Sequence, residues 1–105
     1  YGSKLTSHLI ECGEVVLNLN DTSVAVRGEK IDLTKNEFLI LKTLMEKQGK
    51  VVSREEIMER LWGNDEFVDD NTLTVNITRI RKKLEAAGVN DFITTKRGLG
   101  YLVGV

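Results

Sequence analysis

Residues 71–84 (NTLTVNITRIRKKL) hold the side chains whose types and spacing best support a binding chemistry. This stretch contains no carboxylate and four cations: Arg79, Arg81, Lys82 and Lys83. Lys and Arg neutralise phosphates, Arg and Asn form hydrogen bonds with base edges, and Thr or Val methyl groups contact thymine methyls. The combination suits a double-stranded nucleic acid. A basic helix face that is merely solvated explains the charge equally well.

Side chains for catalysis or metal binding are few. His8 and Cys12 are the only histidine and cysteine, and neither has a partner at the spacing of a metal site or of a nucleophile and its base. No glycine-rich phosphate loop precedes a helix. We therefore expect a protein that is not an enzyme and that uses no metal and no cofactor. Cys12 is expected to be a buried thiol in a reducing compartment, because a single cysteine forms no internal disulfide.

Composition and charge are those of one ordinary globular domain. The chain has 105 residues, 41% hydrophobic and 30% charged, and no run reaches the ~18 apolar residues of a membrane span. Net charge is −1, but residues 1–70 carry nine Lys/Arg and fourteen Asp/Glu, whereas residues 71–105 carry six and two. Because the chain begins YGSKL without Met, we expect an excised piece of a longer cytoplasmic protein. Residues 1–7 are interpreted as linker or cloning residues, and residues 8–105 as one domain.

The basic stretch must form an amphipathic helix to present its side chains together. At about 100° per residue, one narrow side is apolar and consists of Leu73, Ile77, Ile80 and Leu84. The opposite side carries Thr72, Val75, Thr78, Arg79 and Lys82, with Asn76 and Lys83 on its flank and Arg81 on the other edge. Asp69 and Asp70 are expected to cap the start of this helix, and Gly88 to end it.

The remaining segments predict strands, two further helices and a hairpin. Apolar and polar residues alternate over 8–33 between turn signals, which indicates an antiparallel meander of three or four short strands. Thr34 with Glu37, and Ser53 with Glu56, match the capping-box pattern, so a helix is expected to start at each pair. Residues 63–70 are acidic and too short for an element, and they predict a loop. The last fifteen residues predict two strands that reverse at 96–100.

These elements and their motifs resemble the effector domain of the OmpR/PhoB family of two-component response regulators, over residues 8–105. The motifs are LTKNEFLILKTL, GKVVSREEIMERLWG, DDNTLTVNITRIRKKLE and TKRGLGYLV. The resemblance implies an α+β winged helix-turn-helix, with an N-terminal antiparallel four-stranded sheet, a three-helix bundle and a C-terminal β-hairpin wing. It also implies sequence-specific binding of double-stranded DNA for transcriptional regulation, with the third helix in the major groove and the wing at the minor groove.

By position, the resemblance also implies a set of contact residues. The base-reading residues are Val75, Asn76, Arg79 and Arg97. The phosphate-binding residues are Trp62, Thr72, Arg81, Lys82, Lys83, Thr95 and Lys96. The loop that commonly contacts RNA polymerase corresponds to residues 63–68 and includes Asn64, Asp65, Glu66 and Phe67. For Trp62, packing in the core is an interpretation of nearly equal weight.

The implied partners are promoter direct repeats bound head to tail, RNA polymerase, and an upstream receiver domain of the same protein, with weak or DNA-induced homodimerisation. The run DDNTLTVNITRIRKKL is similar to a Gram-positive subgroup that regulates envelope-stress and antimicrobial-peptide resistance genes. Asn71, Thr74 and Asn76 differ from the residues frequent at their positions in the family, which leaves the operator sequence open. The alternative function is a winged-helix module that docks on protein without binding DNA.

Overall fold

Strands, helices and a hairpin follow one another in the computed structural model, which describes residues 9–62 and 70–104. Four strands come first: β1 Leu9–Cys12, β2 Val15–Asn18, β3 Ser23–Val26 and β4 Glu29–Asp32. Three helices follow: α1 Lys35–Glu46, α2 Arg54–Trp62 and α3 Asp70–Ala86. A hairpin comes last, with β5 Thr94–Lys96 and β6 Gly100–Leu102, and we call residues 94–102 the wing. The predicted order of sheet, three helices and terminal hairpin is confirmed.

The four N-terminal strands form one antiparallel sheet in the order β1-β2-β3-β4. Alternation along the strands turns one face towards the core, where the buried residues include Cys12, Val15, Leu17, Val24 and Val26. Between β2 and β3, the Asn18 side-chain oxygen accepts a hydrogen bond from the Asn20 N–H at 2.8 Å, which stabilises the turn locally. The predicted meander is therefore correct, with four strands.

Cys12 lies at the end of β1 and is buried, as predicted. Burial raises the pKa of its thiol, because a thiolate loses hydration in an apolar environment.

None of the helices in residues 9–62 and 70–104 combines the length and the apolar composition needed to cross a membrane.

The start of α1 matches its predicted capping box, and the start of α2 shows the serine half of its own. At α1, the Thr34 hydroxyl accepts from the Glu37 N–H at 3.2 Å, and the Glu37 carboxylate accepts from the Thr34 N–H at 3.0 Å, so this box is complete. At α2, the Ser53 hydroxyl accepts from the Glu56 N–H at 3.1 Å. The Glu56 carboxylate forms an ion pair with Lys47, the residue that caps the end of α1. The glutamate at α2 therefore joins two helices.

The apolar side of α3 lies in the centre of the core, as predicted. Leu73, Ile77, Ile80 and Leu84 are each at most 1% exposed. They belong to one cluster with buried residues of α1 and α2, including Leu41, Leu44, Ile57 and Leu61. Burying one such side chain stabilises the fold by roughly 1.5–3 kcal/mol. This packing fixes the rotation of α3 about its axis, and therefore which residues face outward.

A short β-bridge, which no sequence pattern predicts, joins the wing to the turn between α1 and α2. Val52 and Tyr101 exchange backbone hydrogen bonds of 2.8 and 2.9 Å, and the Gly49 N–H donates to the Val103 carbonyl at 2.7 Å. Gly100 makes the close approach possible, because a Cβ at this position would lie 2.0 Å from the Val52 oxygen and φ is +147°. The wing is thus anchored along β6.

Candidate nucleic-acid interface

The outward side of α3 carries the predicted polar and basic residues. Thr78, Arg79 and Lys82 are exposed, Val75 is 45% exposed, and Thr72 is half-buried near the start of the helix. The buried stripe forces this arrangement, since residues on the far side of a helix must face solvent when the stripe is in the core. The face combines cations with methyl-bearing side chains.

The wing carries a second group of cations. Thr95, Lys96 and Arg97 are exposed, and the Leu99 N–H donates to the Lys96 carbonyl at 2.9 Å to close the turn. Arg97 therefore lies at the tip of the hairpin, next to Leu99, which is 64% exposed. A guanidinium on a narrow hairpin tip can reach into a groove that a helix cannot enter.

Arg81 connects the two groups of cations. It lies on α3, and its Nη2 donates to the Ile93 carbonyl at 2.9 Å and to the Thr95 hydroxyl at 2.6 Å. Its Nε donates to the same Ile93 carbonyl at 3.3 Å. The side chain predicted to bind phosphate is therefore engaged with the start of the wing.

Arg54, which is not among the predicted site residues, forms a second connection. This residue lies in the first turn of α2, and its guanidinium donates to the Tyr101 hydroxyl at 2.8 Å and to the Thr74 hydroxyl at 3.1 Å. The guanidinium carbon lies 5.7 Å from the centre of the Tyr101 ring, within the range of a cation–π contact. Arg54 thus joins α2, α3 and β6. No local sequence signal marks it, because its partners are 20 and 47 residues away.

Asn76 is not on the exposed face, contrary to its predicted place on the polar flank. The residue is 5% exposed, and its side-chain amide donates to the Thr72 carbonyl at 2.8 Å. Position 76 lies one turn before the buried Ile80, so its side chain turns inward and needs a partner there. Its base-reading role stays a prediction, and it requires the amide to leave the Thr72 carbonyl.

Lys83, a predicted phosphate contact, is engaged within the protein, and its phosphate-binding role stays a prediction. Its Nζ lies 2.5 Å from the Glu37 carboxylate and 3.1 Å from the Asp32 carbonyl. Glu37 is 1% exposed and the Lys83 side chain is 34% exposed. The charge is therefore paired with the capping box of α1, because a carboxylate that leaves water requires a partner. Lys83 joins α3 to α1 and to the end of β4.

Several predicted site residues lie outside the residues that the structure describes. Trp62 is the last residue of α2, but its side chain is not among the described ones. Residues 63–69 are also outside the described ranges, and they contain the predicted polymerase-contact residues Asn64, Asp65, Glu66 and Phe67 and the predicted cap Asp69. The side chain of Asp70, the other predicted cap, is likewise outside the described residues. Within residues 9–62 and 70–104, His, Cys, Asp and Glu side chains form no group of three or more that could hold a metal ion.

The helix pair α2 and α3, with a basic second helix followed by an anchored hairpin, defines a winged helix-turn-helix domain. The chain belongs to the family described as "Transcriptional regulatory protein, C terminal", which matches residues 28–103. This membership confirms the resemblance to the effector domains of response regulators.

Three known proteins illustrate the similarity. Sensory transduction protein BceR of Bacillus subtilis (strain 168) is 54% identical over 91 residues, which are 87% of this chain and 39% of BceR. The C-terminal domain of the nisin resistance regulator NsrR, a lantibiotic response regulator, is 39% identical with a TM-score of 0.77, over 90% of this chain and 94% of that domain. The Klebsiella pneumoniae RstA DNA-binding domain, solved in complex with the RstA box, is 29% identical with a TM-score of 0.76, over 91% and 96%. The chain spans about two fifths of the length of BceR.

Proposed function

We propose that residues 8–105 are the output domain of a cytoplasmic two-component response regulator and regulate transcription by sequence-specific binding to double-stranded DNA. In this proposal α3 enters the major groove and the wing reaches the adjacent minor groove. The domain acts by binding alone, without catalysis, metal or cofactor. Support comes from the family of transcriptional regulators to which the chain belongs and from the RstA domain, which was solved on its DNA box.

The observation that carries the proposal is the pair of exposed cationic elements joined by Arg81. An α-helix with side chains is about 10–12 Å across, which matches the major groove at about 12 Å. The outward side of α3 presents Arg79 and Lys82, and residues 71–84 contain no carboxylate to repel phosphates. Arg97 at the wing tip suits the minor groove, whose negative potential favours Arg where the groove is narrow.

Residue roles follow from exposure and chemistry. We assign base reading to Val75, Arg79 and Arg97, because an exposed valine can meet a thymine methyl and a guanidinium can bond a guanine edge or enter a minor groove. Asn76 joins them in this proposal, and its amide must leave the Thr72 carbonyl to reach a base. Phosphate contacts are assigned to exposed or half-buried polar residues that flank them: Thr72, Lys82, Thr95 and Lys96.

The regulatory context is part of the proposal. BceR is a sensory transduction protein of which this chain matches 39%, and we propose that a receiver domain of the same protein lies upstream. We further propose head-to-tail binding to promoter direct repeats, weak or DNA-induced dimerisation, and contact with RNA polymerase through residues 63–68. NsrR is a nisin resistance regulator, so we propose genes for resistance to antimicrobial peptides as the targets.

Selection of binding sites from a random duplex library tests the proposal. We expect the purified domain to enrich a short motif, repeated in one orientation about one helical turn apart. An Arg79→Ala, Arg97→Ala double variant that folds normally should lose this enrichment. If the unmodified domain enriches nothing at low salt, while charge reversal at Arg79 weakens a protein complex, the domain is a protein-docking module.

A pair of single substitutions separates base reading from phosphate binding. Arg79→Ala should weaken binding to the selected site by about 1–3 kcal/mol and relax the preference at one base pair. Lys82→Ala should weaken selected and random duplexes alike and lower the slope of log K against log salt by about one. Equal losses on selected and random DNA for Arg79→Ala would remove Arg79 from the base-reading residues.

A further inference from the structure

We propose that Arg81 is a positioning residue that fixes the wing relative to α3, so that Arg97 and Arg79 read one DNA site together, rather than a bidentate phosphate ligand. The inference rests on the proposed DNA binding. It assigns to Arg81 a role that acts through the Ile93 carbonyl and the Thr95 hydroxyl.

The hydrogen-bonding capacity of the guanidinium supports this role. Arg has five N–H donors on three nitrogens, and a bidentate phosphate contact uses two adjacent nitrogens. In Arg81, Nε donates to the Ile93 carbonyl, and Nη2 donates to both Ile93 and Thr95. Nη2 belongs to both possible two-nitrogen edges, and it already donates to two acceptors. A bidentate phosphate contact would therefore break a bond to the wing.

The acceptors of Arg81 sit where they control the wing. Ile93 directly precedes β5 and is 2% exposed. Its side chain is therefore packed in the core, while its backbone carbonyl accepts hydrogen bonds from Arg81 of α3. Thr95 lies in the middle of β5, opposite Tyr101, and two residues before Arg97. A change in the Arg81 bonds therefore acts on the strand that leads directly to the wing tip.

Thr95 adds a consequence for DNA binding. Its hydroxyl oxygen accepts from Arg81, which leaves the hydroxyl hydrogen free of that bond and able to donate to an anion. Thr95 is exposed. In this arrangement the charge of Arg81 polarises a hydroxyl that contacts phosphate, and Arg81 itself stays within the protein.

A double-mutant cycle between Arg81 and Arg97 tests the inference on the site selected with the unmodified domain. Arg81→Gln removes the positive charge and the planar guanidinium. Lys82→Gln is the matched control, because Lys82 is the exposed neighbour and loses the same charge. Coupling within one network corresponds to roughly 2- to 150-fold in an equilibrium constant. We expect Arg81→Gln to weaken binding at least about threefold less in an Arg97→Ala background than in the unmodified domain. Lys82→Gln should weaken binding equally in both backgrounds.

The conservative variant Arg81→Lys provides a second arm. A lysine keeps the charge that a phosphate needs, but it lacks the planar fork that holds two acceptors. Positioning predicts that Arg81→Lys behaves like Arg81→Gln in the cycle. Binding retained by Arg81→Lys, or an equal loss from Arg81→Gln in both backgrounds, would overturn the inference in favour of a direct phosphate contact.

Amide hydrogen exchange in the free domain separates failure of the inference from failure of the proposed function. We expect Arg81→Gln, but not Lys82→Gln, to speed exchange of the paired amides of β5 and β6 at a temperature where both variants are folded. Unchanged exchange rates in Arg81→Gln would show that Arg81 does not stabilise the wing, independently of the DNA-binding results. Accelerated exchange together with no DNA binding by the unmodified domain would refute the proposed function and, with it, the role of Arg81 in reading DNA.

Discussion

Replacing Lys83 with Met should destabilise the fold without removing a DNA contact. The Lys83 ammonium lies 2.5 Å from the Glu37 carboxylate, which is 1% exposed and also accepts from the Thr34 N–H at 3.0 Å. Met keeps the length and the apolar stem of lysine and removes the charge. The buried Glu37 carboxylate would then keep its hydrogen bond from the Thr34 N–H but lose the Lys83 ammonium.

The expected loss of stability is about 2 kcal/mol. Breaking a fully buried ion pair costs about 3–5 kcal/mol because it leaves a buried charge unpaired. Here the Lys83 side chain is 34% exposed, so water reaches the pair and we expect a loss below that range, about 2 kcal/mol. For a domain of about this size, 1 kcal/mol shifts Tm by roughly 4–8 °C, so Lys83→Met should lower Tm by about 8–16 °C.

Thermal unfolding and salt-dependent DNA binding measure the two parts of this prediction. Lys82→Met is the matched control: it should leave Tm within a few degrees but lower the salt slope of DNA binding by about one. Lys83→Met should do the reverse, and adding Glu37→Gln should recover part of the lost stability, since the buried charge is then gone. A Tm within about 2 °C of the unmodified domain, or a salt slope reduced by one in Lys83→Met, would refute the internal assignment of Lys83.

Three further predictions concern the wing, the core and the sheet. Gly100→Ala should cost roughly 1–3 kcal/mol or more, because its Cβ would lie 2.0 Å from the Val52 oxygen; unchanged denaturant unfolding would contradict this contact. Leu73→Ala, at 0% exposure, should cost about 2–5 kcal/mol in the same assay, and a loss below 1 kcal/mol would place Leu73 outside the core. Arg27, which donates to Glu14 at 2.8 and 2.9 Å, holds the pKa of Glu14 below its usual range. The contribution of this pair to stability is therefore present above the unfolded-state pKa and is lost as pH falls through the folded-state pKa, and an NMR titration in which Arg27→Gln leaves the Glu14 pKa unchanged would exclude this cause.

Local signals in the sequence were sufficient for most of the fold. The Thr34–Glu37 capping box depends on atoms three residues apart, so its two hydrogen bonds follow from the pattern alone. The period of the apolar residues similarly predicted the buried side of α3 and, by exclusion, exposed Arg79 and Lys82. Elements of this kind are set by a few neighbouring residues.

The placements that differ from the structure concern residues at the edges of the helical wheel. Asn76 and Lys83 were both placed on the flank of the polar face, where the wheel cannot distinguish a solvent-facing side chain from one that turns inward. Whether a flanking position is covered depends on what packs beside it. For Lys83 that neighbour is Glu37, 46 residues away in sequence, and no periodicity links the two positions.

Secondary structure, family and the side of α3 that faces outward could therefore be predicted before the fold was known, because they depend on short-range patterns and on motifs in a characteristic order. Which polar side chains on that helix are available to a ligand depends instead on tertiary contacts. Arg81 is committed to the wing and Lys83 to α1, and Arg54 joins three elements across 47 residues. Arg81 and Lys83 therefore differ from the exposed Arg79 and Lys82, because each of the first two is paired with another segment, and those pairings exist only after the chain has folded.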